Sequence, residues 1–354
     1  MDTFTNTLNS RIAAADQGAA DRAKARWNSI AKPIGSLGLL EDAVISIAAL
    51  TGSEHVDIKK RAVIVMCADN GVVHNGVTQT GQDITALVAG NIQKGDASVC
   101  RMAKVAHADV LAVDIGMAGR AHGVMDRHVA NGTMDMTIGP AMTRIQAEQA
   151  LKTGVELVRE HHKKGYGIIA TGEMGIGNTT TSSAMASVLL GRAPGEVTGR
   201  GAGLSDDGLI RKLHAIERAI AVNRPDKNDP MDVLTKLGGF DIAGMAGIFI
   251  GGALYRVPVL VDGFISAVAA LTAARLCANS RVCMIASHVS AEPASMLALN
   301  ALGLKPMISA GMRLGEGTGA VAALPLIDMA LAVYDDMSTF YGIGMQPYIP
   351  HGGM

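Results

Sequence analysis

Four times along this chain an apolar run without polar alternation ends in an acidic or glycine-rich turn, a fifth run ends near His288, and in most cases a stretch of helix length follows. The runs are RAVIVMCADNG (61–71), ADVLAVDIG (108–116), YGIIATGEMG (166–175), RVPVLVDGF (256–264) and SRVCMIASHVS (280–290). Strands of this kind have no face to offer water, so both faces must be covered by helices, as in a parallel sheet. The fold class is therefore α/β. In such a sheet the polar carboxyl ends of the strands line a ligand crevice.

The rest of the chain divides around that core. The first sixty residues are helical in pattern: RAKARWNSIAKP runs to Pro33, an IGSLG turn follows, and LLEDAVISIAAL continues to Leu50. Residues 117–144 carry little periodicity and read as loops or short irregular strands. Near the end, ISAGMRLGEGTG is a glycine-rich loop feeding a helix that begins near Thr318. The expected organisation is a helical segment of a small domain over 1–60, a main α/β domain over 61–300, and a loop plus C-terminal helical segment over 301–354 that completes the small domain.

Composition excludes several classes. With 42 glycines and only 3% aromatic residues, tight turns and close backbone approaches are many, and aliphatic residues and methionine fill the core; Trp27 is assigned to packing. A formal charge of -1 argues against a strong overall field for nucleic acid. Cys67, Cys100, Cys277 and Cys283 make no CxxC pair and read as core thiols in a reducing compartment. The start lacks the apolar stretch of a signal peptide, and polar residues are expected to divide the later apolar runs before they reach membrane-spanning length. A cytoplasmic protein without membrane contact is expected.

Two glycine-rich turns carry the candidate chemistry. Gly172-Glu173-Met174-Gly175-Ile176-Gly177-Asn178-Thr179-Thr180 permits close backbone approach, and Asn178 to Thr181 are placed to cap the next helix and aim its amides at an anion. It lacks the GK[ST] ending of a P-loop, and an ordinary structural turn is the competing reading. In Gly315-Glu316-Gly317-Thr318-Gly319, glycines give a substrate access to Glu316, and Thr318 is placed to cap the following helix with the carboxylate over its positive end. The alternatives there are a general base and a carboxylate held by backbone amides.

Asp69, Asp114, Glu173 and Asp262 fall at presumed strand ends, where they suit ribose hydroxyls or a positively charged sugar. Lys32, Lys212 and Arg313 are candidate phosphate partners, each equally readable as a surface charge. His74 and His288 also lie near strand ends, but no HxH, HExxH or Cys/His cluster points to a metal, and no cofactor is expected.

Taken together, KPIGSLGLLE (32–41), VMCADNGVVHNGV (65–77), GEMGIGNTT (172–180), KLGGFDIAGMAG (236–247), VLVDGF (259–264) and MRLGEGTGA (312–320) closely resemble the nicotinate-nucleotide:dimethylbenzimidazole phosphoribosyltransferase family over nearly the whole chain. The resemblance implies a Rossmann-like parallel sheet with a small helical domain built from separated segments, and a dimer with active sites near the subunit interface. It also implies transfer of phosphoribose from nicotinate mononucleotide to the lower-ligand base of a cobamide. By motif, the family's catalytic carboxylate is Glu316. Glu173, Gly175, Asn178, Thr179, Lys212, Gly315 and Gly317 fall at nucleotide and phosphate positions, Thr80, Val88 and Leu314 in the acceptor-base pocket, and Asp262 and Ser290 on the ribose side. The enterobacterial form of the family carries Ser and Gln at the Thr80 and Val88 positions. Val in place of an amide removes a donor and an acceptor, which opens the acceptor choice to benzimidazoles, purines or phenols.

In some cobamide producers two related chains form a phenol-using heterodimer, so a homodimer and a heterodimer with a paralogue both fit. A non-catalytic or partner-dependent nucleotide-binding subunit is the competing account. A dinucleotide oxidoreductase is disfavoured by the lack of a strand-associated GxGxxG.

Overall fold

The computed structural model describes residues 3–348, so the last residues of the expected closing segment, 349–354, lie outside it. Six strands form one sheet: β1 (Arg61–Ala68), β2 (Asp109–Gly116), β3 (Met125–Asp126), β4 (Ile168–Met174), β5 (Val259–Val261) and β6 (Met284–Ala286). Their order is β3-β2-β1-β4-β5-β6, and every pairing is parallel. This is the doubly wound order of Rossmann folds, in which the chain reverses its direction of growth beside β1 and opens a crevice at the carboxyl ends. The two-residue β3 is the only strand within the irregular stretch 117–144 among the described residues.

The unbroken apolar runs have the expected cause. All eight residues of β1 are buried. Ile64, Met66 and Ala68 enter one core with the helices Arg144–Lys163, Asn178–Leu190, Phe240–Tyr255 and Phe264–Leu276. Val63, Val65 and Cys67 enter a second core with the helices Asp83–Gln93, Ser98–Val105 and Thr318–Asp336. The period of two is present, but both faces are apolar. The four cysteines are all buried.

The two chain ends meet. Trp27 packs at 4.9 Å from Tyr334 in a separate cluster with Ala23, Ile30, Val44, Ala48 and Ala330. Ile30 bridges Thr339, and the Phe340 amide donates to Ser29 O at 2.9 Å.

The helix Thr318–Asp336 is 19 residues long and by length and mean hydropathy alone could cross a membrane, but Asp328 divides its apolar run as expected. Half of its apolar window is buried within the fold. It packs on β4 and on the helices Leu39–Thr51 and Ser98–Val105, a covering role that accounts for its apolar composition.

Glycine in a helix costs about 1 kcal/mol relative to alanine, yet Phe240–Tyr255 contains four of them. The reason is backbone contact with the helix Arg144–Lys163: a Cβ on Gly247 would overlap Leu151 O and lie 3.0 Å from Gly154 Cα. Gly247→Ala is expected to destabilise the protein by about 3 kcal/mol through overpacking, lowering the melting temperature by roughly 5 °C or more. An unchanged melting curve would show that the helices separate without cost.

Candidate active site

The carboxyl ends of β4, β5 and β6 open into a cavity of about 390 Å³. Residues 173–179 after β4, 262–266 after β5 and 288–292 after β6 form its floor and sides, and the loop 313–316 closes another side. Residues 77–80 and Val88 form the facing wall, and Arg200 to Leu204 complete the rim. Glu316, Glu173, Gly175, Asn178, Thr179, Gly315, Thr80, Val88, Leu314, Asp262 and Ser290 are thus brought together on one cavity. Gly317 lies one residue beyond it, and Lys212 stands behind it.

The two glycine turns differ from the expected capping scheme. The helices Asn178–Leu190 and Thr318–Asp336 are preceded by Gly177 and Gly317 at φ 95° and 91°, and neither has a side-chain cap from that residue. Thr318 Oγ1 donates backward to Gly315 O at 2.8 Å. The Asn178 side chain points to carboxylates, and Thr181 Oγ1 donates to Asn178 O. The start of Thr318–Asp336 is held instead by Asp262 from β5, whose Oδ1 accepts the Ala320 amide at 2.9 Å.

Glu316 itself has φ 59°, a left-handed conformation that costs a non-glycine residue roughly 1–2 kcal/mol. Its amide donates to Glu173 O at 3.3 Å, and the bare Cα of Gly172 admits the loop, since a Cβ there would sit 2.5 Å from Glu316 O. The carboxylate does not lie over its own helix. Glu316 Oε2 accepts the Val99 amide at 3.1 Å, at the start of Ser98–Val105. One carboxylate oxygen is therefore engaged by a helix amide, while the residue remains partly exposed on the cavity wall. Strain at a ligand-facing residue is a mark of function.

Glu173 is buried, and burial followed by the Asp241 charge pushes it up to about 8. It is therefore a neutral acid at pH 7, and its charge is available only to a bound cation or at higher pH. Asp262 is pushed upward by burial and pulled back by His288, whose Nδ1 stands 4.0 Å away. Lys212 has no exposed surface, and burial lowers it to about 8, partly offset by Glu292. Its Nζ donates to Thr179 Oγ1 at 2.9 Å and Gly199 O at 3.0 Å. It is not a solvated surface charge.

Three other candidates fall elsewhere. Asp69 accepts Thr85 Oγ1 at 2.6 Å and the Ala118 amide at 2.8 Å. Asp114 accepts the Met117 amide at 2.9 Å and faces His128 at 3.0 Å. Both tie loops to strand ends and neither lines the cavity, so of the four strand-end acids only Glu173 and Asp262 reach it. Lys32 pairs with Glu41 at 2.5 Å beneath Trp27, away from the cavity, whereas Arg313 lines it. Among the described residues no three His, Cys, Asp or Glu side chains gather as a metal set.

Sequence reasoning missed Asp241, Arg200 and Glu292. Asp241 is the only charged residue in Phe240–Tyr255, a helix otherwise apolar and buried, and that isolation was the available signal. Glu292 lines the cavity and its Oε1 accepts the Gly201 amide at 3.0 Å. No local pattern joins those two positions.

Residues 12–344 match the family model described as Phosphoribosyltransferase, and the chain belongs to that family. Among its relatives, the nicotinate-nucleotide–dimethylbenzimidazole phosphoribosyltransferase of Acetivibrio thermocellus is 46% identical over 332 residues, covering 93% of this chain and 95% of the relative. The protein of the same name from Ruminiclostridium cellulolyticum is 44% identical over 350 residues, covering 98% and 99%. The crystal structure of CobT from Thermus thermophilus superposes with a TM-score of 0.88 at 37% identity, covering 93% of this chain and 99% of that one.

Proposed function

We propose that this chain transfers the 5-phosphoribosyl group of nicotinate mononucleotide to the lower-ligand base of a cobamide, 5,6-dimethylbenzimidazole or a related benzimidazole, purine or phenol, giving an α-ribotide and nicotinate. The observation that carries the reading is the placement of Glu316, Glu173 and the Gly175–Thr179 turn on one cavity, in a chain of this family. The acceptor base and the nicotinate ring occupy opposite sides of the ribose anomeric carbon. Glu316 takes the acceptor N–H or O–H proton as that heteroatom bonds to the carbon, and the bond to the pyridinium nitrogen breaks with its electron pair going to the ring. Nicotinate leaves without acid help because its nitrogen was already cationic. Inversion gives the α product.

Asp262 and Ser290 are proposed to face the ribose, with Glu173, Thr179, the turn glycines and Lys212 at the phosphate side. A dimer, of like chains or with a paralogue, acting in the cytoplasm is part of the same reading, and light scattering of the purified chain tests the assembly. Mass analysis of products from the chain alone, with nicotinate mononucleotide and a panel of bases, tests the reaction: no ribotide with any base would overturn it.

Acceptor choice is assigned to Thr80 and Val88. Val88 presents only methyl groups to the cavity, so several flat bases are expected to compete within about ten- to two-hundredfold of one another, since one apolar contact is worth roughly 1–3 kcal/mol. Val88→Gln is expected to narrow that range. Strict use of dimethylbenzimidazole by the unmodified chain would sink the assignment.

A further inference from the structure

One buried arrangement is not used by the transfer chemistry described so far. Asn178 opens the helix after the phosphate-side turn, and its Nδ2 group donates to two carboxylates, Glu173 Oε2 on the cavity wall and Asp241 Oδ2 at 3.0 Å beneath it. Both hydrogens of the amide are thereby committed. Asp241 has no exposed surface, does not line the cavity, and stands as the one charge in an apolar helix. Its other oxygen accepts the Ile242 amide at 2.9 Å. Two glycines make room for it: a Cβ on Gly175 would lie 2.8 Å from Asp241 Oδ2, and one on Gly239 would collide with Oδ1. A carboxylate buried in this way is costly unless its charge serves something.

We propose that Asp241, which does not reach the substrate, is a positioning residue for the transfer reaction: through the Asn178 amide it fixes both the orientation and the charge of Glu173. The inference rests on the transfer reaction proposed above. Two carboxyl groups sharing one donor cannot both ionise cheaply. Burial pushes Asp241 up to about 6, and burial together with Asp241 pushes Glu173 to about 8. Between those values the pair holds a single negative charge, and the second donor to Asp241, the Ile242 amide, favours placing it there and leaving Glu173 neutral. Glu173 thus meets the nucleotide as a hydrogen-bond donor and not as another anion beside the phosphate. Asp262 after β5 and Glu316 on the glycine loop add to the upward push on Glu173, the buried Cys67 on β1 faces the same charges, and Asp69 acts on Asp241.

The test is the pH profile of kcat/KM for nicotinate mononucleotide. Asp241→Asn keeps an acceptor for the Asn178 amide and deletes the charge. The alkaline limb assigned to Glu173 is expected to move to lower pH by about one unit, with kcat at its plateau changed far less than KM. Lys212 contributes a second alkaline limb, but its one charged influence is Glu292, so Asp241→Asn leaves that limb in place. In a Glu173→Gln background the Asp241→Asn shift is expected to vanish. Folding of the Asn variant does not decide the matter alone, because 13C NMR titration of labelled glutamate carboxyls in the wild-type protein, assigned with Glu173→Gln, reads the same group directly. A Glu173 carboxyl titrating in the ordinary carboxylate range, or an unmoved limb in folded Asp241→Asn, would overturn the inference. An inactive wild-type chain would instead count against the transfer reaction.

Discussion

Glu316→Gln is expected to lower kcat for phosphoribosyl transfer by about a hundred- to ten-thousandfold, the usual range for loss of a general base, with KM for the nucleotide within a few-fold. The amide has nearly the shape of the carboxylate, so its carbonyl oxygen can still accept the Val99 amide that Glu316 Oε2 accepts at 3.1 Å. The left-handed backbone at this position, φ 59°, suits neither residue more than the other. What the change removes is a proton acceptor facing the cavity. Steady-state rates across several pH values check this, and full turnover at all of them would return Glu316 to the status of a carboxylate held by an amide.

Lys212→Met is expected to weaken nucleotide binding far more than it changes the stability of the free protein. An ammonium has three donors, and two are used, by Thr179 Oγ1 and Gly199 O. Gly201, on the cavity wall, has no side chain to stand between the ammonium and a ligand: a Cβ there would lie 3.5 Å from Nζ. A hydrogen bond to a charged group contributes about 1.5–3 kcal/mol, so KM for the nucleotide should rise roughly ten- to a hundredfold. In the free protein the change relieves a buried charge but takes the donor from Gly199 O and Thr179 Oγ1, so the two effects oppose and stability should change far less than nucleotide affinity.

The pH dependence follows from the lowered value of about 8 against an ordinary 10.5. Between these values the unfolded chain binds more protons than the folded one, so the wild-type protein gains stability as pH rises across that window, and the variant lacks this contribution. Nucleotide affinity should instead fall as pH rises through about 8, because the ammonium discharges. Melting curves with and without nicotinate mononucleotide read both effects, and unchanged ligand stabilisation in Lys212→Met would reject the assignment.

The sheet was legible because its central strands β1 and β4 are buried on both faces and the apolar run of β1 is unbroken. The cavity was legible in outline, since acids and glycines at the ends of β4 and β5 mark where a parallel sheet admits a ligand. What escaped was the partnership between distant residues. Asp69 follows the carboxyl end of β1 much as Glu173 sits near that of β4, yet Thr85 and the Ala118 amide occupy it. Thr318 has the residue type of a helix cap, yet the cap is Asp262, brought in from another strand. Lys212 resembles any basic residue on an amphipathic helix, and only packing shows that its surface is closed off.

The glycine loop bearing Glu316 is tied to the sheet from two strands at once, by its own amide on Glu173 O and by the Ala320 amide on Asp262. The wall carrying Thr80 and Val88 comes from a separate stretch of chain across the cavity. The two walls are nevertheless linked: the Val99 amide that holds the Glu316 carboxylate opens the helix directly after the one bearing Val88, so a displacement of that far wall is transmitted to position 316.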